Sequence, residues 1–308
     1  MATKTALAPG AARRKMPFDY ETLCNWPIPV ATQSYSARDT ILYALGVGAA
    51  TSNPVPADDL KFVFEQNLAA LPTMGAVLAT GPFWMQDPAT GIDWKRILHG
   101  EQMLTVHKPL PPQGTVRAVS TVDEIYDKGA DKGAVMHLSR RLFNASSDAG
   151  SGELLMTIRS SCFMRGNGGF GGRADGAPKP HVVPDERAPD LTLDLPTRPE
   201  QAAIYRLSGD YNPLHIDPAV ARAASFERPI LHGLCTYGVA GRAVLKLLCG
   251  NEPVRLRRLD VRFASPLFPG ETVRTEVWRE GRGRAAFRAR AVERDVVVIN
   301  NGLTEFEE

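Results

Sequence analysis

Hydrophobic positions along the chain follow a helical spacing and then an alternating one, and this order occurs twice. SARDTILYALGVGA, residues 36 to 49, repeats apolar positions at helical intervals behind a Ser36 cap and ends at glycine, so it predicts a helix. DLKFVFEQNLAAL, 59 to 71, predicts a second one. EQMLTVH, TVRAVSTVDEIY, GAVMHLSRRLF and ELLMTIRSSCFM then read as strands divided by Pro/Gly turns. The second half begins with helical PEQAAIYRLS and the long apolar LHGLCTYGVAGRAVLKLLC, 231 to 249. It closes with RLDVRFA, ETVRTEVW, RAAFRARAV and VVVINNGLTEF, which are again strand-like.

Between the halves, residues 165 to 199 are crowded with glycine and proline, a composition that predicts loop rather than regular elements. This linker separates an N-terminal unit, 17–164, from a C-terminal unit, 200–308. Its GNGGFGG run does not open onto a helix within a βαβ pattern, so it is not a phosphate-cradling loop. PLPPQGTV at 109 to 116 and PLFPGETV at 266 to 273 repeat one short pattern at the same step of both halves, which points to duplication. The expected architecture is α+β: two repeats, each with a long central helix wrapped by an antiparallel sheet, their sheets pairing edge to edge.

Composition narrows the function. Hydrophobic residues make up 44% and charged ones 23%, and no apolar run approaches the roughly 20 residues needed to span a bilayer, so a membrane protein is not expected. A formal charge of +2 is too small to imply a nucleic-acid partner, and the arginines between Arg255 and Arg294 read as solvated strand faces. Cys24, Cys162, Cys235 and Cys249 are far apart with no CxxC pair, which fits a reducing cytoplasm and indicates neither a disulfide framework nor a zinc site. Residues 1–16 read as a disordered tail, and the terminal EFEE carries no peroxisomal tripeptide.

Chemistry concentrates in SGDYNPLHIDP, 208 to 218, where Asp210, Asn212 and His215 fall on a segment that Pro213 keeps from being one helix. Ser208-Gly209 and Asn212-Pro213 predict turns, and a tight loop can aim the three side chains at one point. A carboxylate beside an imidazole can hold and release a proton near neutral pH, while an amide orients a water. A purely structural reading has Asp210 and Asn212 capping turns and His215 packing. A metal would need a third ligand such as Asp217 or His232, at a spacing that matches no usual site, so none is expected. Fifteen residues on, PILHGLCTYG puts Gly233 at the start of the apolar helix, where an unpaired N–H can face a developing oxyanion or the glycine can merely admit close packing.

These motifs, with RDTILYALGVGA, LKFVFE, LHGEQ, KPLP, DKG, GGFGG, YRLSGDYNPLHIDP, ILHGLCT and RFASPLFPG, resemble the MaoC-like, R-specific enoyl-CoA hydratases of the hydratase 2 type, also found as a domain of peroxisomal multifunctional enzymes. The likeness runs from about residue 17 to the C-terminus. It implies a double hot-dog fold whose hydratase motif lies only in the second repeat, while the first accommodates the acyl chain. It also implies addition of water to a trans-2-enoyl-CoA, giving a (3R)-3-hydroxyacyl-CoA. Asp210 and His215 would activate the water, Asn212 would help hold it, and the Gly233 N–H would polarise the thioester carbonyl. Substrate contacts carried over are His99, Gly100, Lys128, Tyr211, Pro213, Leu214 and Phe263, with Tyr43, Glu65, Tyr205, Asp217 and His232 in support. DKGADKG offers both Lys128 and Lys132 for one contact. The resemblance implies no redox cofactor and no metal, an acyl-CoA as the small-molecule partner, and a homodimer. A noncatalytic acyl-CoA binding protein and an acyl-CoA thioesterase are the alternatives, and a thioesterase signature lacks this Asp/Asn/His loop.

Overall fold

The computed structural model describes residues 18–52, 54–145 and 152–308; the tail expected over 1–16 lies outside them. In chain order the first half contains α1 (Tyr20–Cys24), β1 (Ala31–Tyr35), α2 (Ala37–Gly46), α3 (Leu60–Val63), β2 (Ile97–Val106), β3 (Gly114–Asp127), β4 (Ala134–Asn144) and β5 (Glu153–Met164). The second contains β6 (Leu191–Pro196), α4 (Gln201–Tyr205), α5 (Pro218–Ala223), α6 (Gly233–Leu248), β7 (Leu256–Phe263), β8 (Thr272–Arg279), β9 (Arg284–Ala291) and β10 (Val296–Phe306).

All the strands join one ten-stranded sheet in the order β1-β3-β4-β5-β2-β7-β10-β9-β8-β6. From either edge inward each half uses its strands in the sequence first, third, fourth, fifth, second, so the halves are two copies of one antiparallel unit. They meet where β2 pairs with β7, Gln102 opposite Val261 and Leu104 opposite Leu259. This is the double hot-dog architecture, with the duplication and the edge-to-edge pairing that the sequence implied.

Residues 233–248 form the central helix of the second half. Val239, Ala240, Ala243 and Val244 are fully buried, as expected for a helix apolar on nearly every face. The sheet of the second half curves around it, and its other side meets the first half.

Three expectations are corrected. Among the described residues the first half has no long central helix: DLKFVFEQNLAAL is helical only over Leu60–Val63, and a short 3-10 turn, Pro72–Ala76, follows. Asn67 adopts the left-handed region at φ +59, and Pro72 cannot continue a helix, so apolar spacing alone does not carry one through. Within the glycine- and proline-rich 165–199, Leu191–Pro196 forms the edge strand β6 against β8. Its counterpart β1, ATQSY, was also not predicted: β1 is short and polar at an edge of the sheet, whereas LTLDLP alternates but is flanked by prolines that read as loop.

A single core runs through both halves, joining Tyr43, Phe62, Leu71 and Met156 to Tyr237, Val244, Leu259 and Phe287. A smaller one, Leu23, Ile125, Met136 and Met164 among its members, lies beneath α1. Among the described residues no helix is long and apolar enough to cross a membrane.

Candidate active site

α4 runs into a 3-10 turn, Arg206–Ser208, and stops at Gly209, whose φ of +116 lies in the region that favours glycine. The chain then folds on its own side chains. One carboxylate oxygen of Asp210 accepts the Asn212 N–H at 3.1 Å, and Asn212 Oδ1 accepts the Leu214 N–H at 3.0 Å. Pro213 opens a 3-10 turn over Pro213–His215, which carries the imidazole inward while Asp210 and Asn212 stay exposed. The second Asp210 oxygen and the Asn212 amide N–H groups have no partner among the described residues.

His215 is 8% exposed, and its Nδ1 lies 2.9 Å from the Ile230 carbonyl oxygen. A carbonyl only accepts, so Nδ1 carries the proton and Nε2 keeps its lone pair. Burial pushes this imidazole below its ordinary value, partly offset by the Ile230 carbonyl and the Asp210 charge. His232 lies behind it with ring centroids 3.8 Å apart and planes tilted by 30°. Its Nε2–H donates to the Asp210 backbone oxygen at 3.1 Å. Burial, then His215, push it down as well, so both rings are neutral at neutral pH. Asp210, His215 and His232 each bring one donor atom within 4.8 Å of the others. Such a set has the composition of a metal site, but one nitrogen of each ring is held by a backbone carbonyl and the rings lie face to face, an arrangement suited to proton transfer.

Gly233 is the first residue of α6, exposed, and its N–H has no backbone partner among the described residues. The N-terminal end of a helix adds a partial positive charge there. Phe263, at the end of β7, covers the glycine: a Cβ at position 233 would lie 3.4 Å from its ring. The His99 ring packs edge-on against Phe263 at 5.0 Å, which brings β2 of the first half to the site. Gly100 lies against Ser161, whose Oγ a Cβ would meet at 2.9 Å.

Tyr205 packs on His232 at 4.9 Å and on Tyr43 at 6.1 Å; both tyrosines are buried, and neither hydroxyl has a partner among the described residues. Tyr211 is exposed beneath the Arg206 guanidinium at 5.1 Å. Pro213 and Leu214 belong to the inner turn. Asp217 points away, accepting the Ala219 N–H at 2.7 Å as the cap of α5. Glu65 is exposed in the bend after α3, with no hydrogen bond or ion pair among the described residues. Lys128, at the β3–β4 turn, donates to the Ala174 carbonyl and lies over the Tyr126 ring. Lys128 and Lys132 line the same cavity of about 400 Å³ with Arg96 and Arg165. The Ile230 carbonyl that sets the His215 tautomer was not foreseen, because a backbone acceptor leaves no mark in sequence.

Comparison with known proteins places this geometry in context. Residues 33–166 match the MFE-2 hydratase 2 N-terminal domain, and residues 182–302 match the MaoC like domain. The chain is 41% identical over 285 residues to peroxisomal multifunctional enzyme type 2 of Mus musculus, covering 90% of this chain but 37% of that protein. It is 36% identical over 296 residues to "Enoyl-CoA hydratase 2, peroxisomal" of Arabidopsis thaliana, covering 92% of this chain and 94% of that one. The crystal structure of a MaoC-like dehydratase from Phytophthora capsici superimposes with a TM-score of 0.80 at 35% identity, covering 94% of this chain and 98% of that one.

Proposed function

The chain belongs to the hydratase 2 family of MaoC-like proteins, and we propose that Asp210, Asn212, His215 and Gly233 give it R-specific 2-enoyl-CoA hydratase activity. A trans-2-enoyl-CoA lies with its thioester carbonyl toward the Gly233 N–H and its C3 toward the loop. A water between the free Asp210 oxygen and His215 Nε2 gives up a proton to Nε2 as its oxygen bonds to C3. The electron pair of the C2–C3 double bond moves toward the carbonyl oxygen, where the Gly233 N–H and the end of α6 meet the charge. A proton returned to C2 completes the (3R)-3-hydroxyacyl-CoA, and the reverse sequence is dehydration. Asn212 holds the water through its free amide N–H groups.

The observation that supports this reading most is one contact: the Ile230 carbonyl accepts a hydrogen bond from the His215 Nδ1–H, which leaves Nε2 as a bare nitrogen near the Asp210 carboxylate. His99, Gly100, Lys128, Tyr211, Pro213, Leu214 and Phe263 are read as substrate contacts. The packed rings of Tyr43, Tyr205 and His232 support them. Glu65 and Asp217 stay in that supporting set through the resemblance alone. No redox cofactor or metal is needed for this chemistry. A homodimer and a cytoplasmic location complete the proposal, the latter fitting four cysteines that are all free, although some relatives are named peroxisomal.

The test follows loss of the conjugated enoyl thioester and resolves the product by chiral chromatography. Wild type is expected to form the 3R alcohol without releasing CoA, and Asp210→Asn to lose at least ~100-fold in rate. An unaffected Asp210→Asn rate defeats the assigned role. Free CoA as the product indicates a thioesterase instead.

A further inference from the structure

We propose that His232 is the positioning residue of this site: its side chain ties the Asp210 loop to the His215 ring without touching substrate, and its backbone begins α6, so one residue joins the three. The inference rests on the hydratase reading above.

Three contacts support it. The His232 Nε2–H holds the Asp210 backbone carbonyl at 3.1 Å, which fixes the loop at the carboxylate residue itself. Its ring face lies 3.8 Å from that of His215, which keeps the base from rotating about the bond its Nδ1 makes to Ile230. Its backbone carbonyl accepts the N–H groups of Cys235 and Thr236 in the first turn of α6, so His232 is also the cap residue immediately before Gly233. The water-activating pair and the amide donor facing it are thus registered through one residue.

The residue type argues that this role is not merely structural. Capping favours Ser, Thr, Asp or Asn, and the His232 side chain makes no capping hydrogen bond. The ring is 1% exposed, and its Nδ1 is a buried acceptor without a partner among the described residues. An unsatisfied buried acceptor costs stability. A phenylalanine would fill the same space without it, so packing alone would favour the apolar ring. What histidine adds is the single N–H to Asp210.

The experiment uses the full chain with His232→Phe, which keeps a ring but no donor, and His232→Gln, which keeps an N–H donor but no ring. A misplacement of about 1 Å can cost ~100-fold in rate, so kcat of His232→Phe is expected to fall about 10- to 100-fold. KM should stay within about threefold and the thermal midpoint at or above the wild-type value, with His232→Gln recovering part of kcat. A crystal structure of His232→Phe should show residues 210–214 displaced, a readout that does not depend on the substrate. Unchanged kcat in His232→Phe overturns the proposal. So does a loss that tracks a lowered thermal midpoint without recovery in His232→Gln, or a 210–214 loop that superimposes on wild type. A wild-type protein that does not hydrate enoyl-CoA defeats the hydratase reading instead, and the loop structure still decides whether His232 positions Asp210.

Discussion

The two repeats run through the same order of five strands but fill the space behind them differently. The second inserts the 16-residue helix α6, with Gly233 at its N-terminus and the Asp210–His215 loop against that end. The first inserts the four-residue α3 and a 3-10 turn, and its segment leans on the helix of its neighbour. Gly238 and Gly241 of α6 let Val47 and Thr73 approach to a few ångströms. Farther along, Arg242 is buried, bonds the Val47 and Gly48 carbonyls and reaches Asp59 at 2.8 Å. Duplication kept the hydrogen-bonded sheet, whose register tolerates little change, and let the interior diverge. One helix came to serve both halves, carrying the proposed chemistry at its start and the join between repeats along its length.

The greatest strain on that picture comes from Arg242→Leu. Removing one member of a buried ion pair typically costs 3–5 kcal/mol. Lys246 also reaches Asp59, at 2.8 Å, so a loss of roughly 3 kcal/mol is expected in urea unfolding. A loss below about 1 kcal/mol would mean that the first repeat does not depend on α6. Next comes His215→Ala, which should cost at least ~100-fold in kcat/KM, or about 2.7 kcal/mol of barrier, with the unfolding midpoint largely kept.

The same two histidines set the pH behaviour. His215 and His232 sit below their ordinary value of 6.5, so the stability they contribute is fully present above that pH and is lost as pH falls below it. The rate should follow, flat at neutral pH with its acid limb lying below 6.5. An acid limb above 6.5 would contradict a buried, neutral base.

Glycine substitutions sharpen the comparison further. A Cβ on Gly238 would lie 2.4 Å from Val47 Cγ1 and 3.1 Å from the Tyr43 hydroxyl, so Gly238→Ala should cost roughly 1–3 kcal/mol. At Gly75 in the first repeat the nearest atom is Met156 Sδ, at 2.3 Å, on a side chain that can move. Gly75→Ala should therefore cost less than about 1 kcal/mol. Equal losses at the two positions would mean that the first repeat is packed as rigidly as the second.

Much of this was legible in the chain. ELLMTIRSSCFM and VVVINNGLTEF coincide with β5 and β10, because a strand inside a sheet must alternate or stay apolar along its length. LHGLCTYGVAGRAVLKLLC announced α6 to within two residues, since only a buried helix is apolar all round. DLKFVFEQNLAAL misled for the same reason in reverse: its apolar residues serve an irregular segment packed against α2, and burial without regular structure mimics a helical stripe.

What the amino-acid order determined by itself was local or periodic: the inner strands of the sheet, the buried helix, the turn chemistry of SGDYNPLHIDP and the glycine where the helix begins. Only the tertiary structure decided that Ile230 orients the base, that His232 stacks on it while holding Asp210, and that α6 replaces a helix the first repeat lacks. Those contacts join positions 15 to nearly 200 residues apart through backbone carbonyls and ring faces. Neither imposes a spacing on the chain, so they exist only once the sheet has closed around the helix.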